Sequence, residues 1–160
     1  WRSEQRAHAA LLSGPGINFI VRASNRVPPF EQSSLTVSTL GISLWFGDVS
    51  DGYQFNPSEV VLSLPSTAEL KPWVVEEANT PHDIGGWKCR GSRVWDASSS
   101  PLISVHYGTC IAMYFKAPAA QPNTLFSLHV AGLMKGGRPV EVPELLFRPG
   151  KYWIWDFLGR

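Results

Sequence analysis

The sequence predicts an all-β fold: a single antiparallel β-sandwich or jelly roll spanning residues 1–160. Three observations carry that expectation. Short apolar, β-branched runs recur from Ile17 onward. Thirteen prolines and fourteen glycines are spread along the chain, which suits many short strands joined by turns. At 160 residues the chain is long enough to bury a two-layer core as one domain.

The elements follow in order. Residues 1–12 (WRSEQRAHAALL) predict one short helix inside an N-terminal arm over 1–15, with Ala and Leu in its second half. At that length a helix needs packing to persist. INFIVRAS (17–24) reads as a strand, ended by Val27-Pro28-Pro29. LTVSTLGISLWF (35–46) is β-branched and mostly apolar, the pattern of a strand buried on both faces. GDVSDG (47–52) is a turn cluster. EVVLSL (59–64) and WVVEEA (73–78) are shorter strands, separated by Pro65 and Pro72. NTPHDIGG (79–86) is a loop, WKCRGSRVW (87–95) a weaker strand, and DASSSP (96–101) a second loop. One long strand is expected over 103–115, with Ile103, Val105, Tyr107, Ile111, Met113 and Phe115 sharing a face. A Pro-rich loop (Pro118, Pro122) leads to a strand at 125–130, where Phe126, Leu128 and Val130 share a face. The tail over 138–160 holds EVPELLF (141–147) and KYWIWDFL (151–158).

Composition narrows the function classes. The chain is 44% hydrophobic and only 17% charged, against roughly 25% charged in an ordinary soluble domain. Fewer charges leave less to cover a solvated surface, which fits a surface partly buried against other proteins. Net charge is +1 with no Lys/Arg block, so the basic footprint of a nucleic-acid binder is absent. No apolar run approaches the roughly 20 residues of a membrane span, and no membrane partner is expected. The first residue is Trp1 rather than Met. That is read as loss of an upstream segment, through a signal peptidase, polyprotein processing or deliberate truncation.

No residue pattern marks an active site, so no catalytic residue, cofactor or metal is expected. His8, His82, His106 and His129 are scattered, without the HxH, HExxH or CxxC spacing that brings ligands together. The window from Asp48 to Glu59 has the length of a calcium loop, but Ser50, Gly52 and Tyr53 stand where ligands and the turn glycine belong. Gly41-Ile42-Ser43-Leu44-Trp45 is not a nucleophile elbow, because its last position is Trp. Trp153 and Trp155 share a face if 151–157 is a strand, as a stacking platform or, more in keeping with an apolar strand, as buried packing.

Cys89 and Cys110 flank DASSSP at nearly equal distances from its centre. A simple hairpin there would set them opposite one another, about 4.5 Å apart at Cα, within disulfide range. Such a bond would contribute roughly 3 kcal/mol and imply an oxidising compartment. The other reading is two buried thiols in different strands, since free cysteine packs as a small hydrophobe.

Over IAMYFKAPAAQPNTLFSLHVAGLMKGG (111–137) and the tail LLFRPGKYWIWDFLGR, the chain resembles coat proteins of plant picorna-like viruses, the comovirus and nepovirus group. The shared pattern is an aromatic-rich strand, a Pro/Asn loop, a second strand, and a tail around an Arg-Pro-Gly turn. The resemblance implies a jelly-roll subunit that assembles with copies of itself or sister coat proteins into an icosahedral shell. That virion, built in the host cytoplasm, would enclose genomic RNA without a basic arm. Subunit contacts are then expected at Tyr152, Trp153, Trp155, Phe157, Trp73 and Trp87, and at loops 47–58 and 79–86. The alternative reading is a secreted or periplasmic β-sandwich module that recognises a protein or glycan, stabilised by a Cys89–Cys110 disulfide.

Overall fold

Apolar residues in two long segments, at even positions in one and odd positions in the other, fix the centre of the molecule. Thr39–Val49 pairs antiparallel with Cys110–Lys116, setting Leu44 opposite Ile111, Ile42 opposite Met113 and Leu40 opposite Phe115. A strand turns successive side chains to opposite faces, so this pairing gathers six large apolar groups on one side. All six are buried.

A computed structural model describes residues 2–6 and 24 (as backbone), 9–23, 39–65, 69–78, 93–99, 101–117 and 125–147. In chain order the strands are β1 (Arg2–Arg6), β2 (Ala9–Gly14), β3 (Ile17–Ser24), β4 (Thr39–Val49), β5 (Tyr53–Phe55), β6 (Val61–Ser63) and β7 (Val74–Ala78). Then follow β8 (Arg93–Asp96), β9 (Ile103–Ser104), β10 (Cys110–Lys116), β11 (Phe126–His129), β12 (Leu133–Lys135), β13 (Arg138–Pro139) and β14 (Leu145–Phe147). Short 3₁₀ turns occupy Pro57–Glu59 and Ala97–Ser99.

The strands form a seven-stranded sheet, β1-β2-β3-β4-β10-β7-β8, and two smaller ones, β14-β11-β6 and β13-β12-β5-β9. Every pairing is antiparallel. One face of the large sheet and the inner faces of both small sheets share a single apolar core, which makes the arrangement sandwich-like. Phe46 of the large sheet bridges the layers. Its ring lies 5.3 Å from Phe19 beside it and 6.0 Å from Phe55 on the four-stranded sheet. In the three-stranded sheet Phe126 stacks on Phe147 at 5.0 Å between ring centres. Each fully buried ring contributes about 1.5–3 kcal/mol, more than a typical hydrogen bond.

Several expectations need correction. The N-terminal segment is not helical: β1 and β2 extend the large sheet, because Ala10 and Leu12 alternate into the core with Leu11 outside. Tertiary burial overrides the helix propensity of Ala and Leu. The single strand expected over 103–115 is two. β9 pairs with β5 in one layer and β10 with β4 and β7 in the other, and a turn at 105–109 carries Gly108 at φ +83°. Segment 47–58 is not a free loop, since β5 lies inside it with Tyr53 and Phe55 buried. Strand 59–64 shrinks to β6 because Pro57 starts a 3₁₀ turn. Within the expected tail, Arg138–Pro139 and Leu145–Phe147 pair into the small sheets as β13 and β14. The expected strand at 151–158, the loop at 79–86 and the Pro-rich loop at 118–124 lie outside the described residues.

A candidate binding groove at one end of the sandwich

The β3–β4 ladder changes step near its end. Ile17 faces Val49 while Phe19 faces Phe46, so β4 spends one more residue than β3 over the same span. This is a β-bulge, a device that re-aims side chains. Here it sets Asp48 beside Asn18. The Asp48 N–H donates to Asn18 Oδ1 at 2.8 Å, and Asn18 Nδ2 donates to Asp48 Oδ2 at 2.9 Å. Gly47 permits the arrangement, because a Cβ at that position would collide with Asn18 Oδ1.

Neighbouring turns brace this pair. Gly16 takes φ +71° in the β2–β3 turn, and its carbonyl accepts from the Ser50 N–H at 2.7 Å. The buried Tyr53 donates its hydroxyl to the Pro15 carbonyl at 2.7 Å. Lys135 Nζ lies 4.8 Å from the centre of the Tyr53 ring and donates to Ser50 Oγ at 3.2 Å. Across from them the 105–109 turn is held by His106 N–H to Thr109 Oγ1 at 3.0 Å and Gly108 N–H to the Phe46 carbonyl at 2.9 Å. That turn lifts Tyr107 into solvent at 68% exposure, the highest of any large hydrophobic side chain among the described residues. Between these parts lies an open groove of about 540 Å³, whose lining includes Ser13, Ile17, Asn18, Asp48, Ser50 and Tyr107. It offers one aromatic face, an amide, a carboxylate, two serine hydroxyls and the Tyr107 phenol.

The outer face of the large sheet carries a second feature. Val74, Ala78, Cys110, Ala112 and Tyr114 form a buried cluster there, with Trp45 and Trp73 packed against it. The Tyr114 hydroxyl donates to Glu76 Oε2 at 2.7 Å, both groups buried. Cys110 lies between Trp45 of β4 and Ala78 of β7 and is disulfide-bonded. The hairpin predicted around DASSSP does not form, because β7 lies between β8 and β10 and β9 joins the other layer. Cys89 lies outside the described residues.

Sequence reasoning did not bring Asn18, Asp48 and Tyr107 together. Asn18 and Asp48 are 30 residues apart, and period-2 alternation puts Tyr107 on the apolar face of a strand. The one signal present was Gly47-Asp48 at the close of an apolar strand, where a bulge is common. Of the predicted contact residues, Trp73 is half-buried against the outer cluster, and Lys116 Nζ sits 4.3 Å from its ring centre. Trp87, Tyr152, Trp153, Trp155 and Phe157 lie outside the described residues. His106 and His129 are exposed, while His8 and His82 fall outside the described side chains. Among the described residues no group of three or more His, Cys, Asp or Glu is placed to hold a metal.

Compared with protein-family models, curated proteins and solved structures, the chain matches none of them. The fold and site therefore define only a class: an antiparallel all-β protein with a disulfide-bonded cysteine on one sheet face and an open groove at one end.

Proposed function

We propose that the protein is an extracytoplasmic β-sandwich recognition module. The observation that carries this reading is the disulfide at Cys110. Disulfides persist in oxidising compartments and are rare in reducing ones. The sequence has one other cysteine, Cys89, so the bond is read as Cys89–Cys110. The module acts by binding: a rigid two-layer scaffold holds the loops at one end in fixed positions. No helix among the described residues is long and apolar enough to cross a membrane. Thiol titration of the denatured, unreduced protein tests the reading. No free thiol is expected before reduction and two after it. Two free thiols in material taken from its native compartment would overturn it.

A second reading keeps the coat subunit and its jelly roll. It is favoured by the path of the chain from β4 onward, which passes repeatedly between the layers as a jelly roll does. In that reading Tyr152, Trp153, Trp155 and Phe157, with Trp73 and Trp87, bury against neighbouring subunits, and RNA lies inside the shell. Electron microscopy of concentrated protein separates the two. Closed shells or pentamers support the coat subunit, and a uniform monomer removes it.

A further inference from the structure

We infer that the groove beside Tyr107 binds a neutral carbohydrate. The exposed ring stacks on one sugar face while Asp48, Asn18 and the serine hydroxyls bond to its hydroxyl groups. This rests on the recognition-module reading above and names its ligand class.

Three features of the groove lead there. The first is a large aromatic side chain held in solvent by the backbone bonds of its turn, Gly108 N–H to Phe46 O at 2.9 Å and Phe46 N–H to Thr109 O at 2.8 Å. These bonds fix the backbone from which Tyr107 projects, and a tyrosine offers amphipathic contact area with only two side-chain torsions to order on binding. The second is the Asn18–Asp48 pair. Its two hydrogen bonds orient both planar groups, yet Asp48 Oδ2 accepts only one of them from Asn18. A carboxylate has about four acceptor sites. Asp48 therefore retains capacity for hydroxyl donors, and hydrogen bonds to a charged acceptor are roughly twice as strong as neutral ones. Ser13 and Ser50 add groups that both donate and accept.

The third feature is charge. The Lys135 ammonium donates to the Ser50 hydroxyl on the rim at 3.2 Å, so the groove carries a carboxylate at Asp48 and an ammonium at its edge. A phosphate or a sulfated sugar would meet Asp48, and an ammonium ligand would meet Lys135. A single aromatic ring is also less than the cage that quaternary ammonium groups use. What remains complementary is an uncharged ligand with an apolar face and several hydroxyls. The volume, about 540 Å³, lies inside the roughly 300–1,000 Å³ range of small-molecule sites.

Isothermal titration of the folded, disulfide-intact protein tests this. The probes are cellohexaose, maltohexaose, xylohexaose, mannohexaose and hexa-N-acetylchitohexaose at up to about 5 mM, with choline and inorganic phosphate as charged comparators. At least one oligosaccharide is expected to bind with a sub-millimolar Kd. Tyr107→Ala should weaken it by about tenfold or more, and Asp48→Ala by a similar factor. Tyr107 is exposed, so its substitution leaves the fold intact and carries the test even where Asp48→Ala disturbs the bulge. No binding by any of the five, binding untouched by Tyr107→Ala, or tighter binding of choline or phosphate would each overturn the proposal. The thiol titration is independent of all these outcomes. An intact disulfide without sugar binding removes the ligand class and leaves the module reading standing.

Discussion

At the scale of single residues, two glycines with the same kind of backbone meet different surroundings. Gly132 has φ +84°, and a Cβ there would strike the Asn56 backbone carbonyl, which already accepts from Glu59 N–H. Gly136 has φ +55° with nothing within 4 Å of a Cβ. Both positions strain an L-residue, by about 1–2 kcal/mol. Only at Gly132 must the backbone of a neighbouring strand end also move. Gly136→Ala is therefore expected to cost about 1 kcal/mol, and Gly132→Ala at least about 2 kcal/mol more. Equilibrium urea denaturation of both variants checks this, and equal losses would show that the Asn56–Gly132 contact is absent in solution. The buried Tyr114–Glu76 bond, 2.7 Å long, makes a second test. Tyr114→Phe keeps the ring's packing but removes a donor from a buried carboxylate. A loss of about 1–3 kcal/mol follows, since hydrogen bonds to charged groups are the stronger kind. An unchanged denaturation midpoint would mean that the carboxylate is fully served by its other contacts.

At the scale of elements, β8 ends in a cap. Asp96 Oδ1 accepts from the Ser98 N–H at 2.9 Å and from Ser98 Oγ at 2.7 Å, which starts the 3₁₀ turn at 97–99. The Ser98 hydroxyl and then the Ser98 backbone N–H hold the Asp96 carboxyl below the ordinary aspartate value, a small burial effect opposes them, and the Lys116 charge adds to them. A carboxyl whose folded pKa is depressed contributes stability above its unfolded pKa, and that contribution is lost as pH falls through the folded value. Asp96 is fully exposed, so the effect is confined to the turn. An NMR titration should give Asp96 a midpoint below the reference of about 3.9, with the Ser98 amide shifting at the same pH. A reference-like midpoint would show that the cap does not form. Sequence was informative about elements wherever a run was long and alternating. INFIVRAS matches β3 residue for residue, and β7 and β11 fall inside their expected segments. It misled where composition and burial disagree, as in AALLSG, whose helix formers pair as β2. Strands of two or three residues between turns, such as β5, β12 and β13, offer too few positions to show a period. The candidate site was hidden for a related reason. Its parts come from a bulge and from a glycine turn inside an expected strand, two irregularities that a period-2 reading smooths over.

At the scale of the whole molecule, β10 is the strand on which the layers depend. From Cys110 through Phe115 every residue is buried, odd positions in the shared core and even positions in the outer cluster. The disulfide at Cys110 therefore ties the outer face at a strand buried on both sides. If its partner is Cys89, the bond closes the chain span that contains β8 and β9, one strand from each side of the sandwich. A loop of that length, closed in the unfolded state, stabilises the fold by about 3 kcal/mol in the chain-entropy model. For a domain of this size each kcal/mol moves Tm by roughly 2–4 °C, so reduction should lower it by about 6–12 °C. Because the gain arises mainly in the unfolded chain, reduction should leave the far-ultraviolet circular dichroism of the native state unchanged. The Cys89→Ala, Cys110→Ala double variant should then melt close to the reduced protein, since alanine leaves only a small void at Cys110. Calorimetry with and without reductant on both proteins decides it. A Tm insensitive to reductant, or a double variant as stable as the oxidised protein, would mean that packing around Trp45, Ala78 and Tyr114 holds β10 in place without the bond.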